Sequence, residues 1–186
     1  MMRSLSTITL FSLMTILPVA SNAGGADYEP PYPPRIVAVP VQARSFYVEF
    51  RARDDATFGH SYVTLGAASS EGTQHTVVVG FMPKSADDDR WSKFGIPVTG
   101  VVGVTKSDLL RRPVVRFRVG VDRATYFRLL SRIRALRYSW TTYELVVHNC
   151  NDFLREIASS AGLSTPIVTA QYPVHYVAEL RTLNSR

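Results

Sequence analysis

The stretch YELVVHNCNDFLREIASSAGL, Tyr143 to Leu163, carries the single cysteine of a 186-residue chain. Phe153, Leu154, Ile157, Ala158 and Ala161 recur there at helical spacing, Asn149 or Cys150 opens the helix, and Gly162 stops it. The residues before Asn149 read as a strand, so the thiol falls where a strand turns into a helix. It stands between two asparagines rather than inside an apolar run, which argues against a packing role. At a helix start the unpaired amides and the positive end of the dipole favour an anion, and a thiol placed there becomes a thiolate more readily. The same amides, that of Cys150 included, can hold the oxyanion of a tetrahedral intermediate.

Upstream, short runs rich in β-branched and aromatic residues read as strands: IVAVPVQ, SFYVEFRAR, HSYVTLGA, HTVVVGF, VTGVVGV and VVRFRVGV. In the second, Phe46, Val48 and Phe50 alternate with Tyr47, Glu49 and Arg51. GAASSEGT reads as a hairpin loop and PKSADDDRWSKFG as a longer polar excursion. Asp122 is placed to cap a helix over Arg123 to Arg137, whose Tyr126, Leu129, Leu130, Ile133 and Leu136 form one apolar face. The tail PVHYVAELRTL reads as one more short helix. A run of strands followed by helices predicts an α+β domain, an antiparallel sheet packed against helices.

A thiol nucleophile works with a nearby base. Of the four histidines, His60 opens the strand GHSYVTLG, and Gly59 before it permits close approach of a backbone or a substrate. His148 is only two residues from the thiol, but the chain turns between them and predicts a ring that diverges from the sulfur. His175 reads as a surface residue of the tail. One cysteine and four scattered histidines form no metal-ligand spacing, so neither a metal nor a cofactor is expected.

YELVVHNCNDF fits the pattern Tyr-x-Leu-x-x-x-Asn-Cys-x-x-Phe, and GHSYVTLG lies well upstream of it. Together they resemble the circularly permuted branch of the papain-like NlpC/P60 superfamily, with its LRAT-like and PPPDE-type members, in which the histidine strand precedes the cysteine helix. The resemblance spans roughly Ser45 to Leu163. It implies a permuted papain-like fold and a thiol (cysteine) hydrolase, an amidase or peptidase, with Cys150 as nucleophile and His60 as base and later acid. It also implies a third polar residue on the following strand that orients the imidazole. That residue is expected to be His75, or Gln74 if the strand is slipped by one residue. Tyr143 and Asn149 are further positions of the pattern.

Residues 1–23, MMRSLSTITLFSLMTILPVASNA, have the order of a secretory signal peptide, with cleavage expected after Ala23. The expected compartment is therefore the periplasm or the exterior, and no later run is long enough to span a membrane. Residues 24–35, rich in Pro and Gly, read as a flexible lead-in, and 36–186 as a single domain. Removing Arg3 leaves 20 basic and 15 acidic residues, a net charge of 20 − 15 = +5, and 18 of the chain's 21 basic residues are arginine. Such a field suits an anionic cell-envelope partner. Nucleic acid is not expected, since no recognisable binding module is present. Export and the resemblance together imply peptidoglycan stem peptides as the substrate, whose anionic surroundings suit a basic enzyme, with a lipid acyl group, or a non-catalytic binding module of the same fold, as alternatives; the oligomeric state is left open.

Overall fold

The computed structural model describes residues 28–36, 45–55, 57–69 and 72–185, and the segment read as a signal peptide lies outside them. The chain is α+β. Its strands are β1 (Arg35–Ile36), β2 (Ser45–Arg53), β3 (His60–Ser69), β4 (Gly72–Pro83), β5 (Val98–Gly103), β6 (Val115–Val121) and β7 (Thr142–Tyr143). The helices are α1 (Ala86–Ser92), α2 (Lys106–Leu110), α3 (Arg123–Ser139), α4 (Cys150–Ser160) and α5 (Pro173–Asn184). All pairings are antiparallel, in the order β6-β2-β3-β4-β5-β7, with β1 pairing β4 beyond the end of β5.

One face of this sheet makes the core. Phe46, Val48, Phe50 and Ala52 on β2, Val63 and Leu65 on β3 and Val77, Val79 and Phe81 on β4 meet the apolar faces of α3, α4 and α5. α4 lies against β3 and β4, and α5 against β2 and β6. The opposite face of β2 is not simply solvated as alternation suggests. Glu49 is 1% exposed there because Arg51 and Arg118 donate to its two carboxylate oxygens at 2.5 and 2.6 Å, while Arg118 also lies over the Tyr47 ring. A buried carboxylate is tolerable only when paired in this way. Part of the arginine excess is therefore structural.

Three expectations need correction. β3 runs on to Ser69 and β4 begins at Gly72, the two residues pairing, so most of GAASSEGT is strand rather than loop. The polar excursion holds α1, capped by Ser85, whose hydroxyl accepts from the Asp88 amide at 3.1 Å. The lead-in is held from residue 28 onward: the Tyr32 amide donates to the Val104 carbonyl at 2.8 Å, the Val104 amide returns the bond at 3.0 Å, and Arg35 and Ile36 pair with Val78 and Val77. Backbone pairing at the sheet edge outweighs the local Pro-rich composition.

Candidate active site

α4 starts where Asn149 makes it start. The Asn149 side chain accepts from the amides of Asn151 and Asp152 at 2.8 and 3.3 Å, Asp152 accepts from the Asn149 amide at 3.0 Å, and Asn149 Nδ2 donates to the Leu145 carbonyl at 2.8 Å. This reciprocal cap consumes two of the amides that an uncapped helix start would offer to an anion. The Cys150 amide, at the first helical position, is the one left to serve as an oxyanion donor.

Beside the thiol stands His60, the first residue of β3. The turn before it is fixed by Asp55, whose Oδ1 accepts the amides of Thr57, Phe58 and Gly59 at 3.0, 3.1 and 2.8 Å. Gly59 has φ +77°, and a Cβ there would lie 2.6 Å from the Arg53 carbonyl, so backbone proximity rather than substrate access explains the glycine. Room for the imidazole comes from Gly80 on β4, where a Cβ would stand 2.6 Å from His60 Nε2. The ring lies parallel to that of Tyr62, with centroids 6.2 Å apart.

Burial pushes the Cys150 thiol up, but hydrogen bonding to His60 and its electrostatic pull, together with hydrogen bonding at Ser61, outweigh it and hold the thiol below its ordinary value. The residue is 6% exposed. Tyr143 closes the other side. Its own burial, then the negative charge of the sulfur and a hydrogen bond to it, keep the Tyr143 hydroxyl protonated well beyond the ordinary range. The sulfur thus lies between an imidazole and a phenol.

The third group is not on β4. His75 pairs with Gly66, six residues along β3 from His60, and Gln74 pairs with Ala67. At ~3.3 Å per residue that is about 20 Å of strand, so register removes both positions from the imidazole. The neighbour is Asp108 on α2, whose Oδ2 is 3.9 Å from His60 Nε2. Nε2 is buried and has no hydrogen-bond partner among the described residues. Asp108 is 2% exposed; its Oδ1 accepts from Arg53 Nε at 2.9 Å and its Oδ2 from the Thr105 amide at 2.9 Å. Burial raises its pKa, but the charges of His60 and Arg53 and these hydrogen bonds bring it below the usual carboxylate range, so it is ionised at neutral pH. In sequence, Thr105 and Asp108 have the spacing of a capping box, which marks a helix start but not the histidine it faces.

Two more residues escaped the sequence. Ser61 Oγ donates to Asn151 Oδ1 at 2.8 Å, and Asn151 Nδ2 donates to the carbonyls of Thr169 and Gln171 at 2.9 and 2.8 Å. Asn151 thereby ties the histidine strand, the cysteine helix and the segment before α5 together. His148 turns away as expected, packed on Trp140 with ring centroids 4.1 Å apart and bonded through Nδ1 to the Thr142 carbonyl. His175 is exposed against Tyr172.

The thiol opens on a cleft of about 360 Å³, lined on its apolar side by Phe58, Leu145, Val146, Ala170, Tyr172 and Pro173. A second, smaller recess lies on the His60 side and carries charged groups, Glu29, Arg53, Asp55, Asp89 and Lys93. Phe58, Gly59, Tyr143 and Leu145 line both, so the two recesses adjoin. Among the described residues no group of three His, Cys, Asp or Glu side chains gathers as a metal site, and no helix is long and apolar enough to cross a membrane.

No protein-family model matches the chain, nor does any curated protein or solved structure.

Proposed function

We propose that the protein is a cysteine hydrolase of the permuted papain-like kind, acting on an acyl carbonyl. The observation that carries this reading is a thiol that lines an open cleft, is held below its ordinary pKa by His60, and is followed by an ionised carboxylate 3.9 Å behind that imidazole. The order of histidine strand before cysteine helix supports the fold part of the proposal.

In this reading His60 takes the Cys150 proton and the thiolate attacks the carbonyl carbon. The oxyanion forms opposite the Cys150 amide, and the Tyr143 hydroxyl, released once the sulfur is acylated, serves as a second donor. His60 then protonates the leaving group from the charged recess as the carbon–heteroatom bond breaks. Water, deprotonated by His60, attacks the thioester, frees the acid and restores the thiol. Asp108 stays ionised and steadies the imidazolium between these steps.

The lining of the cleft favours an apolar acyl group on the thiol side and a polar leaving group on the histidine side, which fits a lipid ester or amide better than a stem peptide. Val146, Val147, Ile167 and Val168, all more than half exposed, line or flank the same opening and suit a lipid surface. Peptidoglycan, expected from export and the family resemblance, is the second reading, supported by the charged recess. The test offers phospholipid vesicles and purified peptidoglycan in parallel. Fatty-acid release lost in Cys150→Ala is expected. Cysteine-dependent release of stem peptides with intact lipid would establish the second reading, and no product from either material, with an unreactive thiol, would refute both.

A further inference from the structure

α2 carries Asp108, yet it has no apolar anchor. It is five residues long; Leu109 is 38% and Leu110 71% exposed, and its buried residues are Ser107 and Asp108, both polar. So short a helix is not stable by itself, and its place against the sheet is set by what bonds to those two side chains. Asp108 is held by Arg53. Ser107 is held by Glu29, from the segment before β1: Glu29 Oε2 accepts the Ser107 amide at 2.8 Å and Oε1 accepts the Ser107 hydroxyl at 2.5 Å. Glu29 is fixed in turn by the Tyr32–Val104 backbone pair, which Gly103 admits, since a Cβ there would lie 2.6 Å from the Tyr32 carbonyl.

We propose that Glu29 is a positioning residue for the relay, and that the segment over residues 28–36 is a strap that holds Asp108 against His60. Asp108 lies 3.9 Å from Nε2, a separation at which a displacement of ~1 Å changes the interaction with an imidazolium substantially. With Ser107 released, α2 keeps the Arg53 pair and its own Thr105 cap but loses its tie to the strap, and the carboxylate can shift relative to the ring. The strap also lines the charged recess, so its order and the leaving-group side of the site are coupled. The inference rests on the Cys150–His60–Asp108 reading above.

The test is the rate of Cys150 alkylation by iodoacetamide as a function of pH, with hydrolysis of p-nitrophenyl octanoate alongside, on the full chain carrying Glu29→Ala, Glu29→Gln or Asp108→Asn. Loss of a well-placed Asp108 destabilises the imidazolium, so the alkylation midpoint should move to higher pH in Glu29→Ala, less so in Glu29→Gln, which keeps one acceptor, and in the same direction as Asp108→Asn. The expected cost to kcat is about threefold or more with KM unchanged. A merely structural Glu29 would lower thermal stability and leave the midpoint in place. Folded Glu29→Gln with an unmoved midpoint and unchanged kcat, beside an Asp108→Asn that moves both, overturns the proposal. A wild-type thiol no faster than free cysteine and indifferent to Asp108→Asn overturns the relay itself, and the strap's role with it.

Discussion

Cys150 and Gly80 show how little space the site leaves around its imidazole. The Gly80→Ala Cβ would lie 2.6 Å from His60 Nε2, and the atom it meets belongs to a ring packed parallel to Tyr62, so the ring must turn or the strands must part. Thiol alkylation at neutral pH should fall by about tenfold or more in Gly80→Ala, with the sheet still formed by circular dichroism; an unchanged rate would show that His60 does not activate the sulfur. Cys150→Ser makes the complementary case. A hydroxyl of similar shape keeps the contacts to Ser61 and Tyr143, so stability should stay within ~1 kcal/mol of wild type by denaturant melts while turnover disappears. The pairing of Cys150 with His60 was legible in the sequence because each is marked locally, the thiol by a helix start and the histidine by the glycine before it. Asp108 was not. Its local surroundings, Thr105 to Leu110, describe only a capped turn, and its partner arrives through the folding of β3 beside α2. His75 was the wrong inference for the same reason: period-2 alternation tells which residues share a face but not how far a hairpin extends, and the extended β3–β4 hairpin carries position 75 about six residues up the strand from His60.

α4 is an element whose cap doubles as site architecture. Asn149 holds two helix amides and the Leu145 carbonyl, and the next residue but one, Asn151, fastens the helix start to β3 and to the segment before α5. Asn149→Ala removes the cap and should cost about 1–2 kcal/mol of stability. It should also make the residual activity more sensitive to temperature than the melting curve alone predicts, because the frayed turn is the one carrying the sulfur. Activity that tracks the folded fraction at every temperature would confine Asn149 to stability. The long elements with wide apolar stripes, α3 and α4, were readable because burial follows their 3.6 period. α1 and α2 were not, since short helices with polar or exposed faces owe their existence to Ser85, Thr105 and tertiary bonds rather than to periodicity. The strap was misread because composition describes the isolated chain, whereas the free backbone edge beyond β5 is present only in the folded sheet.

At the scale of the whole molecule, paired carboxylates hold both the sheet and the site. Glu49 joins β2 to β6 through Arg118, Asp108 joins α2 to β2 through Arg53, Asp55 fixes the turn into β3, and Glu29 ties α2 to the segment before β1. Burial raises the pKa of each, but hydrogen bonds and nearby arginines outweigh it, and all four lie below their ordinary values in the folded state. The unfolded chain therefore binds more protons than the native one in the acid range, and stability must rise with pH there. The stabilisation is complete above the unfolded carboxylate values of ~3.9–4.3 and is lost as pH falls through the lower folded values. Thermal melts should be level from neutral pH down to about pH 5 and then fall steeply, with activity disappearing along with structure. Glu49→Gln separates the contributions. Its neutral amide leaves Arg51 and Arg118 without a counter-charge, so the melting temperature at pH 7 should drop, while the acid-side slope becomes shallower because one depressed carboxylate no longer titrates. A Glu49→Gln melting curve displaced downward by the same amount at every pH would mean that this carboxylate carries none of the acid dependence, its loss acting through packing and hydrogen bonding rather than through the charge it sets against Arg51 and Arg118.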